Sequence, residues 1–149
     1  MDESVSRAHR VLRAVIVEGR QAREFEKDIA LAGPAFVGVL NAFFRNVVER
    51  PFSGQESVAT VQGYLERLQR AYPQELARLE PGPMALFVAE QIGPGAPPPG
   101  QSRLWALEGG VIHQMRLIAE YAARYEGIVG EELELYLRGS CARYLTQEY

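Results

Sequence analysis

Apolar residues recur at alternating spacings of three and four along nearly all of this chain, while the strict alternation that marks a half-buried strand is almost absent. Side chains spaced this way line one stripe of an α-helix, and such a stripe is stable only when it is buried against another helix. The pattern therefore predicts an all-α fold. In the first segment Val5, Ala8, Leu12, Val15, Gly19 and Ala22 follow the helical period, and Ile29 continues the seam. One long helix from about Asp2 to Leu31, roughly 40 Å in length, is expected there, with Gly19 as a weak point near its middle.

Gly33-Pro34 stops that helix and starts another, since glycine suits a C-terminal stop and proline the first helical position. Pro34 to Glu49 carries Phe36, Val37, Val39, Leu40, Phe43, Phe44, Val47 and Val48 around most of its circumference, which predicts the buried centre of the fold. Ser53 and Glu56 match a capping box ahead of a third helix, about Gly54 to Ala71, with Val58, Val61, Leu65, Leu68 and Tyr72 as its stripe. A short helical turn follows from Pro73 to Leu79, then a compact helix from Met84 to Ile92. Residues 93–102 are too rich in proline and glycine for helix or central strand and are expected as an exposed loop. Leu104, Leu107, Val111, Met115, Ile118, Ala122 and Tyr125 trace another helical face that ends at Gly127, and a last helix is expected from about Gly130 to Thr146. The 47 residues after the loop are too few for a comfortable core of their own. The chain is read as one domain over residues 1–149, a bundle of five to six helices with one long Pro/Gly-rich surface loop.

Composition narrows function mostly by exclusion. The net charge of −3 argues against general polyanion binding, so nucleic acid is not the expected partner. Fifteen of the sixteen basic residues are arginine, which reads as a GC-rich, bacterial-type genome. The single cysteine, Cys141, allows no internal disulfide, and no targeting signal precedes the first helix because Arg13 interrupts the apolar run from Val11 to Val17. The longest uncharged stretch, Ile29 to Phe44, is too short to span a bilayer. A cytoplasmic protein without a membrane segment is the expectation.

Reactive groups are sparse. Aspartate occurs only at Asp2 and Asp28, lysine only at Lys27 and histidine only at His9 and His113. A nucleophile needs a base and a base needs an orienting group, so no catalytic residue is assigned and an enzyme is not expected. Paired cysteines and histidine–carboxylate metal spacings are missing, and neither a metal nor a cofactor is expected.

Two constellations remain. Arg13, Arg20 and Lys27 recur every seven residues, and with Arg23 they form a candidate partner interface on the first helix. His113, Arg116 and Glu120 fall at i, i+3 and i+7 on one stripe, and with Trp105 and Tyr121 they mark a candidate ligand pocket between helices. The leading expectation is a non-enzymatic interaction or adaptor protein that self-associates or docks on a larger protein through the N-terminal helix. A small-molecule-binding regulator with an inter-helix pocket is the first alternative, and a nucleic-acid-associated accessory protein the second.

Overall fold

The computed structural model describes residues 2–97 and 109–147, and every regular element among them is helical. Seven α-helices follow in order: α1 (Glu3–Leu12), α2 (Glu26–Ala32), α3 (Pro34–Val48), α4 (Val58–Ala71), α5 (Pro81–Ile92), α6 (Gly109–Tyr125) and α7 (Gly130–Gln147). The expected all-α class holds, with one helix more than the sequence pattern suggested.

The extra helix arises because the predicted Asp2 to Leu31 helix does not exist as one rod. After α1 the backbone widens into a π-helical turn over Arg13–Val17, in which the Glu18 amide reaches the Arg13 carbonyl at 3.2 Å. Gly19 then adopts φ +72°, a left-handed conformation that glycine enters without a Cβ penalty, and the Arg20 amide reaches back to the Ala14 carbonyl at 3.0 Å. These bonds close the helix end. A 3₁₀ turn over Ala22–Phe25 leads into α2, which folds back against α1. Val5, Ala8, Leu12 and Val15, the seam that the sequence offered to a partner, are thereby buried by the chain itself.

The chain bends by 114° at Gly33 between the segment Ala22–Ala32 and α3. As expected, α3 is the centre: it packs against α1, α6 and α7, and Val39, Leu40, Phe43, Phe44 and Val47 are fully enclosed. Burial of each such side chain stabilises the fold by roughly 1.5–3 kcal/mol. α7 lies close to α3 because Gly38 has no side chain, and a Cβ there would collide with the ring of Tyr144. Glycine here permits helix-to-ring contact.

α4 and α5 form a second layer on the same core. The expected start of α4 moves from Gly54 to Val58, because Ser57 is the actual cap and its hydroxyl accepts from the Thr60 amide at 3.2 Å. The Ser53–Glu56 pair forms nonetheless, as a turn ahead of the helix in which the Glu56 carboxylate accepts from the amides of Ser53 and Gly54 at 2.8 and 2.9 Å. α5 begins at Pro81 rather than Met84, since first-turn amides have no intrahelical partner and the prolines at 81 and 83 sacrifice nothing there. Residues 93–97 leave the helical path as expected, and the rest of the proposed loop, 98–102, lies outside the described residues. Among the described residues no single helix is long and apolar enough to cross a membrane.

Candidate functional site

The reversal at Gly19 has its main consequence on the surface. Arg20, Gln21, Ala22 and Arg23 are carried against one face of α6, and the two segments enclose an open cleft of about 440 Å³. His113, Arg116, Leu117, Glu120, Tyr121 and Arg124 form the α6 wall, and Val15 lies at the base of the opposite one. Arg20 and Arg23 of the expected partner interface thus meet His113, Arg116, Glu120 and Tyr121 of the expected ligand pocket in one place.

α6 can present this wall because its other faces are committed to the core. Met115, Ile118, Ala119, Ala122 and Ala123 are buried. The polar stripe, spaced at i, i+3, i+7 and i+11, forms a chain of contacts. Arg116 Nη2 lies 3.2 Å from His113 Nδ1, and Arg116 Nη1 donates to Glu120 Oε1 at 3.2 Å. Arg124 Nη2 donates to Glu120 Oε2 at 3.3 Å, so one carboxylate holds two guanidinium groups. With its side chain only 8% exposed, Glu120 is the fixed point of this wall. Burial raises its carboxyl above the usual range, against the pull of Arg116 and Arg124. Burial lowers the His113 ring from its ordinary value, and the neighbouring Arg116 lowers it further. The Tyr121 hydroxyl is raised by burial and then by the charge of Glu120.

The opposite wall is built from the turn itself. Arg20 donates to Glu24 at 3.1 Å and stands over the Phe25 ring at 5.1 Å, while Glu24 also accepts from the Gln21 amide. Arg23 is exposed, and among the described residues it has no ion pair. Arg124 covers the Tyr121 ring at 4.8 Å, and that ring meets Tyr72 at 5.1 Å. The lining therefore carries four guanidinium groups (Arg20, Arg23, Arg116 and Arg124) against one carboxylate (Glu120). Arg124, which completes the wall, escaped the sequence reading; its position four residues beyond Glu120 was the available signal.

Not every candidate joins the cleft. Arg13 is tied to Glu18 and to Glu134 of α7 at 2.7 and 2.8 Å, and Lys27 is exposed on α2. Arg13, Arg20 and Lys27 share no helical strip, because the chain turns between them. Trp105 lies outside the described residues.

A second polar group went unnoticed in the sequence. Arg45, on α3, is 3% exposed and has no carboxylate against it among the described residues. Its Nη2 donates to Gln91 Oε1 at 2.9 Å, as does Asn41 Nδ2 at 3.0 Å, leaving Arg45 Nε and Asn41 Oδ1 without a partner. Burial pushes the Arg45 guanidinium down to about 10, with Arg143 adding to the effect and Glu49 opposing it. A lone charge in an otherwise apolar helix, one turn from an asparagine, was the clue.

The Cys141 thiol is pushed up to about 11 by burial, away from the thiolate form that a nucleophile needs. No group of three or more metal-ligating side chains occurs among the described residues. No protein-family model, curated protein or solved structure matches this chain, so its functional reading rests on its own residues.

Proposed function

We propose that this chain is a non-enzymatic ligand-binding protein that holds a small anionic molecule in the cleft between α6 and the Gly19–Phe25 reversal. The observation that carries this reading is the opposition of Arg20 and Arg23 to Arg116 and Arg124 across about 440 Å³ of open space. That volume falls within the range of small-molecule sites. Four guanidinium groups against Glu120 and the Glu24 partner of Arg20 leave an excess of two positive charges, which an acidic ligand would offset. The chain as a whole is acidic, so the preference is local and suits a small anion rather than an extended polyanion.

Self-association or docking through the N-terminal helix is the weaker reading. Its motivating seam is covered by the chain's own helices. A local binding role also accords with the rigid setting of Arg116, since a preset donor loses less freedom when a ligand arrives.

Thermal unfolding with added inorganic phosphate tests the proposal. The midpoint should rise with phosphate concentration in the wild type, and the rise should shrink in Arg23→Ala and in Arg124→Ala. Arg67→Ala, remote from the cleft lining, serves as the control. An unresponsive midpoint, or an equal loss in the control, defeats the reading.

A further inference from the structure

The geometry of the two walls narrows the kind of anion, and the contact between His113 and Arg116 adds a proton to its binding. A carboxylate is planar and offers two oxygens. Glu120 already shows that arrangement, with one guanidinium on each oxygen and both donors on the same helix. A ligand reaching both walls at once must offer oxygens to several donors, and a tetrahedral oxyanion has three or four of them where a carboxylate has two. Two negative charges match the excess of two positive charges that remains once Arg20 is counted with its partner Glu24.

His113 stands at the exposed end of this array, and the charged and titratable groups around its cleft are Arg116, Glu120, Tyr121 and Arg124 on α6 and Arg20, with its partner Glu24, and Arg23 on the reversal. No carboxylate contacts His113 among the described residues. Its Nδ1 lies 3.2 Å from Arg116 Nη2, and a guanidinium only donates, so a hydrogen bond there requires the neutral ring with its proton on Nε2. Placing a proton on Nδ1 removes that acceptor and frees Arg116 Nη2 to turn to another oxygen. A dianion in the cleft supplies that oxygen and stabilises the imidazolium as well. Each event therefore favours the other, and the coupling is reciprocal.

We propose that the cleft takes a tetrahedral dianion of the phosphate-monoester type and that its binding draws a proton onto His113. This rests on the anion-cleft reading above, to which it adds the ligand class and a proton linkage.

Calorimetry with sulfate separates the two claims, because sulfate keeps its double charge from about pH 6 to about pH 8, where histidine titrates. Titrations in two buffers of different ionisation enthalpy count the protons taken up. Wild-type protein should take up part of a proton per sulfate, with affinity falling as pH rises, at most about tenfold per unit. In His113→Gln, sulfate should bind without that uptake and with a flattened pH profile. Phenyl phosphate should bind at least as well as sulfate, and acetate about tenfold more weakly or worse.

Should the variant fold poorly, the ring-proton resonances of His113 in the wild type give the same answer, since sulfate must move their titration midpoint upward. Sulfate binding with no proton uptake, or uptake that survives in His113→Gln, overturns the linkage and leaves the anion cleft standing. Acetate binding as tightly as sulfate overturns the ligand class. Absence of binding by all three anions overturns the inference and the anion-cleft reading together.

Discussion

The guanidinium of Arg45 lies inside the bundle among amide side chains, whereas those of Arg20, Arg23, Arg116 and Arg124 border open space and outnumber the carboxylate beside them. Both settings depart from the usual surface ion pair. In the first the protein encloses the charge, so the group acts on stability and on how α3 meets α5. In the second the charges are accessible and in excess, so they act on whatever enters. Arginine content alone distinguishes neither. Enclosure and local charge balance do, and the second is set by the backbone turn at Gly19 that brings Arg20 and Arg23 to α6.

The sharpest way to separate the two regions is to damage the core and leave the cleft intact. Phe43→Ala should cost about 3–5 kcal/mol in urea unfolding, because a fully enclosed ring is lost from α3. Its folded fraction should still respond to phosphate; a loss of response would mean that core and cleft are coupled. Gly38→Ala should cost about 1–3 kcal/mol by forcing the Tyr144 ring away from α3, and a neutral result would show that α7 can shift freely.

Arg45→Met probes the enclosed charge directly. A similar-sized apolar side chain should raise stability by about 1 kcal/mol, since a buried charge with no ion-pair partner costs more than its one bond to Gln91 returns. A clear loss of stability would instead mark Arg45 as a net contributor. The cleft should behave in the opposite manner. Arg23→Ala should change stability by no more than about 0.5 kcal/mol and should weaken phosphate binding, so a large unfolding effect would contradict its placement at the surface.

The smallest effect concerns acid stability. Hydrogen bonds from the Ser53 amide, then from the Ser53 hydroxyl and the Gly54 amide, draw the Glu56 carboxyl down to about 2 from an ordinary value of 4.5. Its folded value lies below the unfolded one, so its contribution is fully present above 4.5 and is lost as pH falls toward about 2. Glu56→Gln should flatten the stability profile across that window. An unchanged profile would remove the turn from the account.

Much of the architecture was legible because it is written in local periodicity. Apolar side chains around most of the circumference of residues 34–49 identified the central helix, and Gly33-Pro34 fixed where it begins. The first helix was misread for a physical reason: a left-handed glycine interrupts a pattern whose apolar residues are still buried, so the period survives on both sides of the break. Nothing in local sequence distinguishes a straight seam from one folded back on itself. The same reversal explains why the site was seen in halves. His113, Arg116 and Glu120 could be placed on one stripe from spacing, whereas their meeting with Arg20 and Arg23 depends on tertiary packing across some ninety residues. Arg45 was not legible because an arginine in an apolar helix reads equally as a surface charge, and only the packing of Gln91 against it encloses it.

Mapping phosphate binding on backbone amide resonances distinguishes the cleft from a helical docking face as the place where this protein meets its partner molecule. The account predicts saturable shifts confined to residues 19–25 and 113–124, with other surface arginines, such as Arg67 and Arg138, unaffected. Weak, unsaturable shifts spread over surface arginines, or none at all, would contradict it.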